Sequence, residues 1–350
     1  MEKHHVGIIG YGAIGRHWAH NFAHSPGDRW QVDYVCDIDP ARLAQARKAL
    51  PGVRTVQDAG VVMADSDVEA VCLSTTADAR PLLIRQALAA GKHIVAEKPI
   101  GPNIAEEEAL LAEIEASDRL VAVNLFNRNG WYHHEAQAFI ADRQIGKLGV
   151  VRVWHLTAGL MPDEAHFSEG PCFHDCGMHY VDVARWYAGS EYAQWHAQGV
   201  RMWGEAEPWY VSVQGAFENG VVFQITQGFV YGQLAEKKIN ASGTELIGTK
   251  GVIRMSHDFV NATLQMHGVG RTVHKTDSYG GKKFDVMIDV FTRSLDAGKD
   301  LGLPAARDSV IASRVSQQMH DSAKAQDPPS IGTAEEMQEI VRSKQPRPGR

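Results

Sequence analysis

Cysteine is scarce in this chain: four residues, Cys36, Cys72, Cys172 and Cys176, in 350. So few thiols over such a length do not make a disulfide framework, and a reducing cytoplasm is the expected compartment. Basic charge is not in excess either. Lys and Arg number 35 against 42 Asp and Glu, a formal net charge of −7, which argues against nucleic acid or an anionic membrane as the main partner. No apolar run approaches the ~20 residues that span a bilayer. Met1-Glu2-Lys3-His4-His5 leads straight into an apolar strand, without a signal-peptide core or a small-residue cleavage site. Internal repeats and low-complexity tracts are also absent from the sequence.

What is present is ordinary for a globular protein: 44% hydrophobic and 22% charged residues. The length predicts two domains. Histidine (17) and tryptophan (8) stand out, many of them between Trp131 and Trp209. Rings and imidazoles suit a site for hydroxylated ligands, though the counts alone favour a His-rich surface with core Trp.

The first ~125 residues alternate strand-like and helix-like segments. Val6-Gly7-Ile8-Ile9 is an apolar strand, then a glycine turn, then a helix over Ala13–Ala23. Trp30–Cys36, Ala70–Leu73, His93–Ala96 and Leu120–Val123 are further strands, with helices over Arg42–Leu50, Leu82–Ala90 and Ala105–Ala116 between them. Continuous apolar strands alternating with helices predict a doubly wound parallel sheet, an α/β Rossmann domain over 1–125. After a helix over His133–Arg143 the pattern changes. Gly149–Thr157 is a long strand and Gly177–Tyr187 a helix. Val211–Phe217, Val221–Phe229, Lys237–Ile247, Gly251–Met255 and Ala262–Met266 are strands joined by short turns. Glu218-Asn219-Gly220 is a hairpin signal. Residues 126–330 are therefore expected to form an α+β domain with a large, mostly antiparallel sheet, closed by helices over Phe284–Leu295 and Ala305–Gln326. Residues 331–350 read as a tail with a short polar helix.

Gly10-Tyr11-Gly12-Ala13-Ile14-Gly15 follows a strand and opens a helix, the context in which such a turn binds a dinucleotide. Gly10 permits the tight turn, Gly12 lets the backbone approach a pyrophosphate, and Gly15 lets helix and strand pack closely. The phosphates are expected over the helix N-terminus, at Ala13 and Ile14. Asp37, at the end of the second strand, is placed to accept from the adenosine ribose hydroxyls and to repel a 2′-phosphate. NAD is therefore favoured over NADP, with Arg42 close enough to keep NADP open.

Two further segments carry chemistry. Glu97-Lys98-Pro99 ends a strand on the edge where α/β sheets bind ligands. Asp175 and His179, in His174-Asp175-Cys176-Gly177-Met178-His179, are four apart and share a face of a helix starting there. Oxidation of a hydroxyl needs a base near neutrality, which His179 supplies. It needs a cation at the developing oxyanion, which Lys98 supplies. Asp175 supplies an acceptor that orients the substrate.

Together these segments resemble the Gfo/Idh/MocA oxidoreductases, and Asp175–Asp182 followed by Arg185-Trp186 looks most like the inositol dehydrogenases among them. The resemblance extends to about Gln326 and includes Ala90-Gly91-Lys92-His93, Phe126-Asn127-Arg128 and Ile145-Gly146. It implies that Lys98 contacts the reacting oxygen near the nicotinamide, that His179 is the general acid/base, and that Asp175 binds substrate hydroxyls and tunes His179. It further implies cofactor contacts from Ser74, Thr75, Glu97, Lys98 and Arg128, a structural Asp182 paired with Arg185, and a homodimer or homotetramer built on the second-domain sheet. Two departures stand out. Where such proteins carry Thr-Pro-x-x-x-His, Thr76 replaces Pro and Arg80 replaces His, and Glu169-Gly170-Pro171 replaces a double glycine.

His155 and Tyr279 are the candidates for further substrate contacts, with Trp131 or Trp154 available to stack on a ring. Cys172-x-His174-x-Cys176-x-x-His179 is too compressed to converge on a zinc ion, so no metal is expected. The sequence thus predicts an NAD-dependent dehydrogenase of a polyol, cyclitol or sugar. The alternatives are an NAD-dependent glycosidase using transient oxidation, and a non-enzymatic NAD-sensing regulator. A regulator is expected to lose the lysine or the histidine, and both are present.

Overall fold

The computed structural model describes residues 3–160 and 173–344. Two compact units emerge: one comprises the residues up to Asn129 together with Lys282–Ile311, the other Gly130–Gly281 and the residues from Ala312 on. The sequence reading runs the second domain unbroken from 126 to 330. The difference arises because the amphipathic helix Phe284–Ala297 finds its apolar partners in the first unit, where Phe284, Met287, Ile288 and Phe291 join the core around Trp18, Phe22 and Trp30.

The first unit carries strands β1 (His4–Ile9), β2 (Trp30–Cys36), β3 (Arg54–Val56), β4 (Ala70–Leu73), β5 (His93–Ala96) and β6 (Val121–Val123). Their order is β3-β2-β1-β4-β5-β6, and every pairing is parallel. Helices α1 (Ala13–Ala23), α2 (Pro40–Ala49), α3 (Ala59–Ala64), α4 (Arg80–Ala89) and α5 (Ile104–Glu115) alternate with them. The strands are apolar throughout because both faces are covered. One core lies under α1, and the other gathers Val62, Met63, Ile84, Leu110 and Ile114. The order reverses at β1, so ligands are expected beyond the C-terminal ends of β1 and β4. Asp39 caps α2 by accepting from Ala41 N–H at 2.8 Å, with Pro40 at the first helical position. The sequence reading passes over β3 and α3. The first is a three-residue edge strand and the second a six-residue helix capped by Asp58, and neither is long enough to offer a periodicity to read.

The second unit begins with helix α6 (Trp131–Ala141) and strand β7 (Leu148–Leu156), and carries helix α7 (Met178–Ala188). Strands β8 (Tyr192–Met202), β9 (Tyr210–Phe217), β10 (Val222–Gly228), β11 (Ala241–Gly248), β12 (Val252–His257), β13 (Asn261–His267), β14 (Thr272–Ser278) and β15 (Ser330–Ile331) follow. They form one sheet in the order β14-β13-β12-β11-β7-β10-β9-β8-β15. The β7–β10 and β15–β8 pairings are parallel and the rest antiparallel. This is the Rossmann-plus-antiparallel-sheet architecture expected. Along β7, Val151, Val153 and His155 are buried while Arg152 is exposed, and α7 packs on the buried side of β7 and β10. Strands β8 and β14 escaped the sequence reading. Strand β8 buries only Ala197 and shows no clean apolar alternation, while β14 is mostly polar and buries none of its side chains. Residues 345–350 of the expected tail lie outside the described residues, whereas Ala334–Lys344 is helical. Among the described residues no helix is long and apolar enough to cross a membrane.

Candidate functional site

In the first unit the turn after β1 is built by steric necessity. Gly10 has φ +90°, and a Cβ there would lie 2.7 Å from the Ser74 carbonyl oxygen. A Cβ on Gly15 would sit 1.9 Å from the Gly10 carbonyl oxygen. Gly12 differs: its nearest neighbour would be an Arg42 nitrogen at 3.8 Å. Two glycines thus let backbone pack on backbone, and the third leaves the surface bare. Helix α1 starts after Gly12 with no side-chain cap and no acid in its first turn. Its leading N–H groups, at Ala13 and Ile14, are the kind that receive an anion. The cradle fits a dinucleotide diphosphate.

Asp37 is buried at the same edge. It accepts from Tyr11 N–H at 2.6 Å and from Asp39 N–H at 2.9 Å, and Arg42 Nη1 stands 3.4 Å away. Its orientation is therefore set by backbone amides, and a carboxylate so engaged keeps lone pairs for further donors.

The Glu97-Lys98-Pro99 turn follows β5, and Lys98 is half-buried. Glu97 is held by the Trp18 indole and the Asn124 amide, both donating to Oε1 at 2.7 Å. The Glu97 amide donates to Leu73 O at 3.0 Å, tying the turn to β4. The Lys98–Pro99 peptide is cis. Arg80, the unexpected residue, is buried and donates to the Thr75 and Pro99 carbonyls. Burial pushes its pKa down to about 10, against the pull of Glu97, Glu107 and Asp78. Ser74 N–H donates to Ile9 O at 2.8 Å, and Arg128 faces Asp308 at 3.1 Å. Trp18, Asn124 and Arg80 escaped the sequence reading as supports of this turn, because side-chain partners so distant in sequence leave no local signal.

In the second unit a π-helical turn, Phe173–Gly177, precedes α7. The α-helix therefore begins at Met178, later than the sequence spacing implies. Asp175 lies in the π-turn, and its side chain is outside the described residues, as are Cys172 and the His174 side chain of the compressed Cys/His run. Phe173 is buried and its carbonyl accepts from Ser316 Oγ. His179 is buried on the first turn of α7, as is Asp182, while Arg185 donates to Glu191. With its amide oriented to satisfy both neighbours, Gln227 donates to His155 O and accepts from Gly177 N–H, each at 3.1 Å.

Around α7 lies a network of rings. His155 Nδ1 and Tyr180 OH are 2.8 Å apart, their rings stacked at 4.7 Å. Ser242 Oγ donates to the Trp154 carbonyl at 3.1 Å. His133 Nδ1 meets Tyr187 OH at 2.7 Å. Tyr279 stacks on His257 at 4.3 Å and on Tyr132 at 6.2 Å. The candidate substrate contacts His155 and Tyr279 are thus both buried in this network, and Trp131 donates its indole N–H to Ser278 O at 3.0 Å. The abundance of His and Trp between Trp131 and Trp209 was a sequence hint of part of it.

Burial pushes the His133 pKa down to about 3, helped by His257, and that of His257 to about 4. Both are neutral in the fold, whereas the unfolded chain takes up these protons from pH ~6.5 downward. Their contribution is fully present above that pH and is lost as pH falls toward the folded values. Between pH 7 and 5 the unfolding free energy is expected to drop by about 2 kcal/mol per histidine. Urea melts across that range measure it. His257→Phe should remove a large part of the slope, and an unchanged slope would strike His257 from the account.

Residues 4–125 match the profile of the Gfo/Idh/MocA oxidoreductase family with its NAD-binding Rossmann fold, and residues 133–254 that of the GFO/IDH/MocA C-terminal domain. Together the two matches cover well over half of the chain. Inositol 2-dehydrogenase 2 of Saccharopolyspora erythraea is 26% identical over 230 residues, 63% of this chain and 65% of that protein, just under two thirds of its length. The scyllo-inositol 2-dehydrogenase (NAD(+)) of Bacillus subtilis is 25% identical over 305 residues, 83% of this chain and 81% of that protein. Among solved structures, scyllo-inositol dehydrogenase from Lactobacillus casei with bound NAD(H) and scyllo-inositol matches with a TM-score of 0.75. That match has 22% identity over 93% of this chain and 98% of the other, a likeness of fold.

Proposed function

The chain belongs to the Gfo/Idh/MocA oxidoreductase family, and on that premise we propose that it oxidises a hydroxyl of an inositol-like cyclitol, polyol or sugar to a ketone. The observation that carries the proposal is the Glu97-Lys98-Pro99 turn. It stands at the C-terminal end of β5, the same sheet edge as the uncapped start of α1, and its carboxylate is pinned by Trp18 and Asn124. NAD, when bound, supplies the two-electron hydride acceptor. Gly10, Gly12 and Gly15 with the Ala13 and Ile14 amides hold its diphosphate, Asp37 its adenosine ribose, and Ser74, Thr75, Glu97, Lys98 and Arg128 complete the cofactor side. His179 takes the hydroxyl proton as hydride leaves the carbinol carbon. The Lys98 ammonium steadies the alkoxide-like oxygen, and Asp175 orients substrate hydroxyls and His179. His155 and Tyr279 make further substrate contacts, and the second-unit sheet assembles a homodimer or homotetramer, which light scattering reads directly.

The test is a panel of inositols, aldoses and sugar acids with NAD and NADP, following both NADH formation and glycoside cleavage. Net NADH from a free polyol supports the reading. Glycoside turnover without NADH accumulation would replace it with transient oxidation and elimination. Asp37→Ser should lower kcat/KM for NAD by about tenfold and narrow the NAD-to-NADP ratio, since it replaces the charged carboxylate acceptor of the ribose by a shorter neutral hydroxyl and removes the charge that repels a 2′-phosphate. An unchanged ratio would remove Asp37 from cofactor selection.

A further inference from the structure

Arg80 opens α4 and is 5% exposed. Its Nη1 donates to the Pro99 carbonyl and its Nη2 to the Thr75 carbonyl. Those carbonyls belong to two segments leaving the sheet side by side, one after β4 and one after β5. A buried cation whose fork ends on neutral carbonyls is costly, and an apolar side chain would fill the same space more cheaply. Acids in the vicinity, Glu97, Glu107 and Asp78, offset part of that cost. What a guanidinium adds is shape. One rigid plane presents two nitrogens to two acceptors, which neither an imidazole nor a single ammonium point charge can do at that span. One of the two acceptors is the residue directly after Lys98.

We propose that Arg80 is a positioning residue: through the Pro99 carbonyl it clamps the turn that carries Lys98 and so sets where the Lys98 ammonium meets the reacting oxygen. The inference rests on Lys98 being the group that stabilises that oxygen. A loosened turn displaces the ammonium by a fraction of its reach, and misplacements of about 1 Å cost on the order of 10²-fold in rate.

A double-mutant cycle tests it. Arg80→Met is made in the natural chain and in Lys98→Met, and turnover is read on the inositol oxidised fastest in the panel above. NADH affinity by fluorescence titration and Tm are read on all four proteins. In the natural background Arg80→Met should lower kcat by ~10–100-fold while NADH affinity stays within about threefold. In the Lys98→Met background it should change kcat by less than about twofold, because the group it positions is gone. An equal loss in both backgrounds, or a kcat within about twofold in the natural one, overturns the proposal. So does an NADH affinity that falls in step with turnover, which would assign Arg80 to the cofactor side through Thr75. Arg80→Lys carries the same cycle if the methionine variant does not fold. Near-normal turnover of Lys98→Met alone overturns the parent reading, whatever Arg80 does.

Discussion

Replacing Lys98 with Met, or His179 with Ala, is expected to lower turnover at least ~10²-fold while NADH titrations change by no more than about threefold. The magnitude follows from the chemistry. Removing a hydroxyl proton at neutral pH without a positioned base forfeits about 10²–10⁴ in rate, and losing a donor at a developing oxyanion costs a comparable factor. The specificity of the effect follows from the fold. Lys98 is half-buried in a turn that its neighbours also hold, the Glu97 carboxylate being fixed by Trp18 and Asn124 and the Pro99 carbonyl by Arg80. Methionine keeps the stem and removes the charge, so the diphosphate cradle at Gly10–Gly15 has no reason to move. His179 lies on the first turn of α7 and is not among the groups proposed to hold the cofactor, so a fall in NADH affinity with His179→Ala would point to misfolding rather than chemistry. Near-normal turnover in either variant would sink the assigned roles.

As candidates, the groups named in that experiment were legible in the sequence because each sits beside a local signal: a glycine turn, a strand end, an i to i+4 pair. The supports were not. Glu97 is fixed by Trp18 and Asn124, residues far apart in the chain that the parallel sheet brings to one edge. Arg80 read as a departure from the family pattern, and only the proximity of β4 and β5 shows what its fork holds. The alternation of strands and helices up to Val123 was readable because apolar runs are long there. Strands β8 and β14 were not, since on the flank and edge of a nine-stranded sheet they bury one side chain and none, and so need no apolar alternation. The return of Phe284–Ala297 to the first unit left no sequence trace either. Its apolar stripe says that it must be covered but not by what, and Trp18 stacked on Phe284 at 4.2 Å gives the answer. Local chemistry is thus written locally, while its rigidity depends on contacts that topology creates.

That distinction predicts opposite fingerprints for two glycines of the same motif. Gly12→Ala adds a methyl where the nearest atom is an Arg42 nitrogen at 3.8 Å, so the free protein has room for it. Tm should stay within about 2 °C, because an ordinary van der Waals contact costs little. If the diphosphate lies against this residue, however, the same methyl occupies its place, and NADH affinity should fall at least ~10²-fold. Gly15→Ala puts its methyl 1.9 Å from the Gly10 carbonyl oxygen and 2.9 Å from the Gly10 carbonyl carbon. Both are main-chain atoms, which no side-chain rotation can clear, so α1 or the turn after β1 must shift. Trp18 and Phe22 of α1 are fully buried in the core, so a shifted helix also loses packing. Overpacking of this kind costs about 1–3 kcal/mol or more, and Tm should drop by several degrees, about 2–4 °C per kcal/mol for units of this size. NADH affinity should fall as well, but as a consequence of the displaced helix. Thermal melts and NADH titrations on both variants separate the cases. Wild-type NADH affinity in Gly12→Ala would mean that the bare surface over α1 is not where the cofactor lies, and an unchanged Tm in Gly15→Ala would contradict the packing of backbone on backbone at the turn.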